Sequence, residues 1–268
     1  MSFQTVLEFA SLTNTGQVRT HNEDAVEVRA EAGFAILADG MGGYNAGEVA
    51  SRICVETISQ YLLRKHHARW SKILPRRSLT AAKFLDRAVG LANKRIFDAA
   101  KEHVEYVGMG TTVVTAIFQE DRIVIAHVGD SRAYLFRQGQ LTALTNDHSV
   151  IQAQIDAGLI SEEHAQFSPI KNLITRAVGA QDQIETEVRD YQVQEGDLFL
   201  LCSDGLTDML SNDQLAEFLS EGAGNLQACC QTLVDNANEN GGRDNISVIL
   251  IKVRAIEELG LMDKIFPN

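Results

Sequence analysis

The stretch Phe34-Ala-Ile-Leu-Ala-Asp-Gly-Met-Gly-Gly43 joins a short apolar run to an aspartate and a group of glycines. Such a run, closed by Asp-Gly, is typical of a buried strand that ends in a tight turn. The arrangement recurs at the ends of two further apolar runs and, reversed, before a third: Ile123–Val128 with Gly129-Asp130, Leu198–Cys202 with Ser203-Asp204-Gly205, and Asp244-Asn245 before Ile246–Ile251. The sequence therefore predicts at least four buried strands with carboxylates at their ends.

The remaining elements are read from periodicity and turn residues. Thr111–Phe118 is a fifth strand, and hairpins turn at Glu31-Ala32-Gly33 and Gln138-Gly139. Helices are predicted at Glu48–Leu63, Ser78–Glu102, after the capping box Ser211–Gln214, and at Asn225–Ala237. This order lacks strict βαβα alternation, so we expect an α+β fold of packed antiparallel sheets with helices outside.

Two segments remain outside this regular pattern. Residues 145–172, hereafter the insert, mix polar and apolar residues in a way that suits short helices, with Asp147 and Ser161 as candidate caps. Residues 254–268 form a short C-terminal tail beyond a domain predicted to cover residues 1–253.

Composition excludes several classes of protein. The chain has 268 residues, and 24 basic against 36 acidic residues give a net charge of −12, which disfavours a nucleic-acid or anionic-membrane surface. No apolar run approaches the ~20 residues of a membrane-spanning helix, and no signal-peptide pattern opens the chain. Its four cysteines form no C-x-x-C pair, so we expect buried thiols in a cytoplasmic protein without a zinc or disulfide framework.

The strand-end carboxylates admit two interpretations. In the first, the Asp-Gly pairs only make turns. In the second, the strand ends converge and bring together the acidic residues Asp39, Asp130, Asp204 and Asp244, with Glu23-Asp24 before another strand. Two carboxylates about 4 Å apart repel by about 4 kcal/mol at an effective dielectric near 20, so a converged group must protonate or bind cations. Oxygen-only ligands select Mg²⁺ or Mn²⁺, and such a two-metal centre suits displacement at phosphorus.

A phosphate also needs a cationic anchor. Arg19 lies four residues before Glu23, and a guanidinium binds two phosphate oxygens at once. An isolated arginine is usually a surface residue, so Arg19 is a candidate phosphate anchor only because acidic residues lie close to it in the sequence.

These segments together resemble the bacterial branch of the metal-dependent serine/threonine protein phosphatases of type 2C. The matching motifs occur in family order and cover about residues 8 to 253: Gly16–Asp24, Ala38–Gly43, Gly108–Thr112, His127–Arg132, Ile174–Gly179, Ser203–Leu206 and Asp244–Ser247. Each motif is weak alone, whereas seven in order are a specific signal. The resemblance implies a four-layer αββα sandwich, with two central antiparallel sheets between helix pairs.

The resemblance also implies roles for the site residues. Asp39 would bridge two Mn²⁺ or Mg²⁺ ions, with the Gly40 carbonyl, Asp204 and Asp244 as further direct ligands. Glu23 and Asp24 would act through metal-bound waters, and Asp130 with Asp204 would hold a third ion. Arg19 would bind the substrate phosphate, and the insert would be the variable flap beside the active site.

The implied reaction is hydrolysis of phosphoserine and phosphothreonine in proteins, by in-line attack of a bridging hydroxide. The implied partners are phosphorylated proteins and a bacterial serine/threonine kinase, and a monomer is expected. In animal members a histidine general acid follows the Asp-Gly; here Met41 stands there, which leaves a metal-bound water or His148 as alternatives. The competing hypotheses are a non-catalytic phosphoprotein-binding scaffold of the same fold and a metal-dependent phosphatase of small metabolites.

Overall fold

Two antiparallel β-sheets form the centre of the structure, a computed structural model that describes residues 3–43, 46–69, 78–165, 168, 170 and 172–258. The strands, numbered along the chain, are β1 (Phe3–Asn14), β2 (Asp24–Arg29), β3 (Phe34–Met41), β4 (Gly110–Thr111), β5 (Val113–Gln119), β6 (Arg122–Val128), β7 (Arg132–Arg137), β8 (Gln140–Ala143), β9 (Glu187–Gln192), β10 (Leu198–Cys202) and β11 (Ile246–Glu258). The first sheet has the order β1-β11-β10-β7-β8, and the second β2-β3-β5-β6-β9, with β4 paired to β3.

Helices cover the outer face of each sheet. They are α1 (Ala46–Arg69), α2 (Ser78–Glu102), α3 (Val150–Asp156), α4 (Glu162–Ala165), α5 (Asp204–Thr207), α6 (Asn212–Gly222) and α7 (Leu226–Glu239). The pair α1 and α2 packs on the second sheet and α6 and α7 pack on the first, which leaves the inner faces of the two sheets to pack on each other. The predicted four-layer αββα sandwich is therefore confirmed.

Three apolar layers hold these four layers together. Ile36 of β3 faces α1 and α2, whereas its neighbours Ala35 and Leu37 face the other sheet, as the two-residue period of a strand requires. Leu200 of β10 faces α6 and α7 in the same way, while Leu201 points between the sheets. Both faces of these central strands are buried, which explains why they read as continuous apolar runs.

Most predicted elements have the expected bounds, and the caps provide a test. Ser211 caps α6 in the predicted capping box, and Asn225 caps α7. In the insert, Ser161 accepts a hydrogen bond from the backbone of His164, as a cap would, but the prediction for Asp147 was wrong. Ser149 caps α3, because its hydroxyl accepts from the backbone N–H of Gln152.

Strands β1 and β9 were not predicted, and β11 is longer than expected. The predicted domain end at residue 253 lies inside β11, because this strand pairs with β1 from Ile246 to Glu258. An ion pair between Arg254 and Glu8 accompanies the last part of this pairing. Residues 259–268 of the predicted tail lie outside the described residues. None of the described helices is long and apolar enough to cross a membrane.

Candidate metal centre

Strand ends from both sheets bring the predicted carboxylates together. Asp24 opens β2 and lies directly opposite Asp39, which ends the apolar part of β3. Asp204 follows β10, and the hydroxyl of the preceding Ser203 donates to Asp24 Oδ2 at 3.0 Å, which links the two sheets. Asp130 follows β6 and is also buried. The convergence expected from the strand ends is therefore present in the fold.

Burial and mutual repulsion raise the pKa values of these carboxylates. Burial raises the pKa of Asp39 and that of Asp204 well above the ordinary value, and the neighbouring aspartates raise both further. Burial likewise raises the pKa of Asp24 to about 6 and that of Asp130 to about 6. Desolvation and like charges both favour the neutral form, so these carboxylates can be ionised together only where cations bind them.

The donor set fits a hard divalent cation. Asp24 Oδ1 is buried without a hydrogen-bond partner among the described residues, which is costly for a carboxylate oxygen unless a cation or water binds it. The converging side chains offer carboxylate oxygens only, the ligands that Mg²⁺ and Mn²⁺ prefer. Close backbone packing shapes the site, because a Cβ on Gly40 would lie 2.1 Å from the carbonyl oxygen of Gly47.

Arg19, Glu23 and Asp244 form the exposed side of the centre. Arg19 Nη2 lies 2.7 Å from Asp244 Oδ2, and half of the arginine side chain is exposed. Burial raises the pKa of Glu23 although Arg19 opposes this, and its carboxylate accepts from the backbone N–H of Gly47 at the start of α1. The predicted phosphate anchor is thus adjacent to the carboxylates and reachable from solvent.

Hydroxyl groups fix the backbone of Asp39, and sequence reasoning did not assign them a role. Thr111 Oγ1 donates to the Asp39 carbonyl at 2.8 Å, and Thr112 Oγ1 accepts from the Asp39 N–H at 3.1 Å. Thr112 Oγ1 also lies 2.6 Å from Ser131 Oγ, in the turn that carries Asp130. These contacts connect the positions of two predicted ligands, and their only signal in the sequence was inclusion in the family motifs.

A second group of possible ligands, His127, His148 and Glu187, is not suited to a single metal ion. The histidine rings are stacked, with centroids 4.6 Å apart and planes 18° from parallel, so one ion cannot lie in the planes of both rings. The N–H of Gly129 donates to His148 Nδ1, which places the ring proton on Nε2, 3.4 Å from Glu187 Oε2. His127 Nε2 lies 2.9 Å from the carbonyl oxygen of Asn146. The cluster is a hydrogen-bonded network.

The same contacts exclude His148 as a free general acid in this arrangement. Both of its ring nitrogens are engaged, the residue is 9% exposed, and burial lowers its pKa. His127 is also buried and hydrogen-bonded, and burial lowers its pKa. Of the two sources of a proton considered from the sequence, this arrangement favours the metal-bound water over His148.

Comparison with known proteins finds a matching family and similar proteins along nearly the whole chain. The family described as protein phosphatase 2C matches residues 15–237. The serine/threonine phosphatase stp of Listeria innocua is 36% identical over 246 residues, which cover 90% of this chain and 93% of that protein.

Solved structures agree in fold. The Mycobacterium tuberculosis phosphatase PstP/Ppp superposes with a TM-score of 0.83 at 34% identity, covering 93% of this chain and all of that one. The PstP catalytic domain in complex with two manganese ions gives a TM-score of 0.82 at 32% identity, covering 94% and 100%. The family match, the sequence relatives and the superposed structures agree with one another, and the chain therefore belongs to the protein phosphatase 2C family, the metal-dependent serine/threonine protein phosphatases.

Proposed function

We propose that this phosphatase removes phosphate from phosphoserine and phosphothreonine in proteins, with its chemistry centred on Asp39. The observation that carries the proposal is a set of buried carboxylates that require cations, beside the solvent-accessible Arg19. A site with metal ligands inside and a guanidinium at its rim suits a phosphate monoester, since the phosphate enters from solvent and meets positive charge on both sides.

The residues that would hold two Mn²⁺ or Mg²⁺ ions are Asp39, Asp204, Asp244 and the carbonyl of Gly40. Glu23 and Asp24 would act through bound waters, and Asp130 with Asp204 would hold a third ion. When bound, the ions supply an activated water nucleophile at neutral pH and neutralise charge on the phosphoryl oxygens. The raised pKa of Asp39 supports this assignment, because a cation is what allows such a buried carboxylate to remain ionised.

Arg19 orients the phosphate. Its contact with Asp244 holds the guanidinium beside the carboxylates, and half of the side chain is exposed, so a phosphate can reach it from solvent. Positioning of the ester in this way makes the attack effectively intramolecular, which is a large part of catalysis in phosphoryl transfer. Met41 has no proton to donate, so the leaving oxygen takes its proton from water.

The insert is proposed to select protein substrates. An isolated bridge joins Ser149 to Ile174, and the N–H of Val150 donates to the Leu173 carbonyl at 2.9 Å, so the insert is closed at its base. Leu159 of the insert exposes 78% of its surface, and Leu173, directly after the insert, exposes 55%, which offers apolar area that a polypeptide substrate could cover.

The remaining proposals concern context. Substrates would be phosphorylated proteins made by a serine/threonine kinase in the cytoplasm, and the catalytic domain would act as a monomer that extends to Glu258, the end of β11. The net charge of −12 supports a protein partner over a nucleic acid.

The test is hydrolysis of a phosphothreonine peptide by chelator-treated protein with Mn²⁺, Mg²⁺ or no metal added. Asp39→Asn should lose activity by about 10²-fold or more, as expected when a metal ligand is removed. Asp213→Asn, the same substitution at an exposed position on α6, should retain activity.

Two other outcomes would each favour a competing hypothesis. Metal-dependent turnover of small phosphate esters with none of the peptide would favour a metabolite phosphatase. Phosphopeptide binding without turnover of any ester would favour a binding scaffold.

A further inference from the structure

Asn245 uses both amide protons and its amide oxygen on one loop. Its Nδ2 donates to the carbonyls of Thr15 and His21, both at 2.9 Å, and its Oδ1 accepts from the N–H of Glu23 at 2.7 Å. The residue is 4% exposed, and its three partners are main-chain groups. One side chain therefore fixes both ends of the connection between β1 and β2.

A separate set of contacts holds the start of this loop. The N–H groups of Gln17 and Val18 both donate to the carbonyl of Gly242, at 2.7 and 3.2 Å. Gly16 has a φ of +79°, and a Cβ there would lie 2.2 Å from the Asp244 carbonyl oxygen. The start of the loop is thus held by the segment before β11. In its second half, Asn245 is joined by Asn22, whose Nδ2 donates to Thr13 Oγ1 at 2.7 Å, and by the Glu23 carbonyl, which accepts from the N–H of Gly40 at 3.1 Å.

The second half is the part that carries the site. Arg19 lies between the two donor contacts of Asn245, and Glu23 is bound through its own N–H. Half of the Arg19 side chain is in solvent and its one ion pair is with Asp244, so its position depends on the backbone below it as well as on that contact. Asn245 is also adjacent in sequence to Asp244, so one residue sets the anchor loop relative to a proposed metal ligand.

We propose that Asn245 is a positioning residue for the phosphatase reaction, which holds loop 15–23 so that Arg19 meets the substrate phosphate beside Asp244. This inference rests on the proposed function, in which Arg19 binds phosphate. It predicts that loss of the Asn245 amide weakens phosphate binding through Arg19, beyond any effect on the stability of the fold.

The chain provides a matched control in Asn93. This residue is 1% exposed on α2, its Nδ2 donates to the carbonyls of Gln181 and Asp182, and its Oδ1 accepts from the N–H of Gly179. The set of contacts is the same, two carbonyls and one amide of a loop, but that loop carries neither Arg19 nor a proposed metal ligand. Asn93→Ala therefore measures the structural cost alone.

The experiment compares Asn245→Ala with Asn93→Ala in the Mn²⁺-loaded full chain, at a temperature where both are folded. We expect Asn245→Ala to lower kcat/KM for a phosphothreonine peptide about 10- to 100-fold, mainly through KM, and to weaken inhibition by inorganic phosphate by about 10-fold. Asn93→Ala should change both by less than about 3-fold. If Asn245→Ala does not fold, Asn245→Ser is measured instead.

The decisive measurement is the double variant with Arg19→Ala. If Asn245 acts through Arg19, adding Asn245→Ala to Arg19→Ala should lower kcat/KM by less than about 3-fold further, because coupled residues are not additive. Additive losses, or equal effects of the two asparagine variants, would overturn the positioning role. A wild-type protein without metal-dependent activity, or an Arg19→Ala variant as active as wild type, would instead refute the proposed function beneath it.

Discussion

Neutralising Asp24 in the metal-free protein is expected to stabilise the fold by about 3 kcal/mol at neutral pH. The carboxylate is buried, Oδ1 lacks a hydrogen-bond partner among the described residues, and Oδ2 accepts from Ser203. Burial raises its pKa from 3.8 to about 6. At about 1.4 kcal/mol for each factor of ten in proton affinity, this difference is the cost of keeping Asp24 ionised in the folded state. Asparagine has the same shape and no charge, so Asp24→Asn removes the cost.

The pH dependence has a definite sign. Because the pKa of Asp24 is higher in the folded state, the folded protein binds more protons than the unfolded chain at mildly acidic pH, and its stability falls as pH rises. The penalty is absent below about pH 4, the ordinary pKa range of an aspartate, and complete above about pH 6. The advantage of Asp24→Asn over wild type should therefore be small at about pH 4 and reach its full value at about pH 7.5.

The assay is denaturant unfolding of chelator-treated wild type and Asp24→Asn across this pH range. Asp197→Asn is the matched control, since Asp197 is also buried but accepts from Arg137 Nε and Nη2, both at 2.6 Å. The same substitution there should destabilise the protein by at least about 1 kcal/mol, because it breaks a satisfied ion pair. Our account of the centre is refuted if Asp24→Asn gives no gain at neutral pH, or if the gain does not shrink toward acidic pH.

Three further outcomes are expected. Mn²⁺ at about 100 times its Kd should stabilise the chelator-treated wild type by about 2.7 kcal/mol and Asp39→Asn by much less, as thermal unfolding can show. Gly205→Ala should lower the unfolding free energy by about 1–3 kcal/mol, because the new Cβ would lie 2.0 Å from the Asn245 carbonyl oxygen. Gly196→Ser should lower it by less, because Gly196 is at positive φ but has open space around it. A thiol reagent should label no cysteine rapidly in the native protein and all of them in denaturant, because the four are buried: Cys54, Cys202, Cys229 and Cys230.

The sequence predicted the site residues best where a carboxylate directly follows a recognisable strand. Asp39 and Asp204 follow apolar runs that could only be buried strands, so their carboxylates were recognisable before the fold was known. Strand β1 was missed although it alternates between the two faces, because its polar residues break any continuous apolar run. Strand β9 was missed for a related reason: it is an edge strand, and its sequence Glu-Val-Arg-Asp-Tyr-Gln lacks an apolar run.

Predictions failed where a side chain has a distant partner. Asp147 stands before a helical segment and fits the pattern of a cap, but it forms a two-pronged ion pair with Arg132, at 2.9 and 2.7 Å. Arg132 is the first residue of β7, fifteen positions before Asp147 in the sequence. Nothing within a few residues of Asp147 indicates this contact. Ser149, two positions later, is the cap. Local propensity allowed both residues to cap, and tertiary structure decided between them.

The two buried asparagines show most clearly what sequence reasoning lacks. Asn93 and Asn245 have the same residue type, nearly the same burial and the same three kinds of hydrogen bond, so contact chemistry does not distinguish them. They differ in what the fixed loop carries, since only the loop held by Asn245 presents a guanidinium to the carboxylate centre. The effect of a positioning residue on activity therefore depends on which loop the fold places it against. Comparing Asn245→Ala with Asn93→Ala separates this effect on activity from the effect on stability.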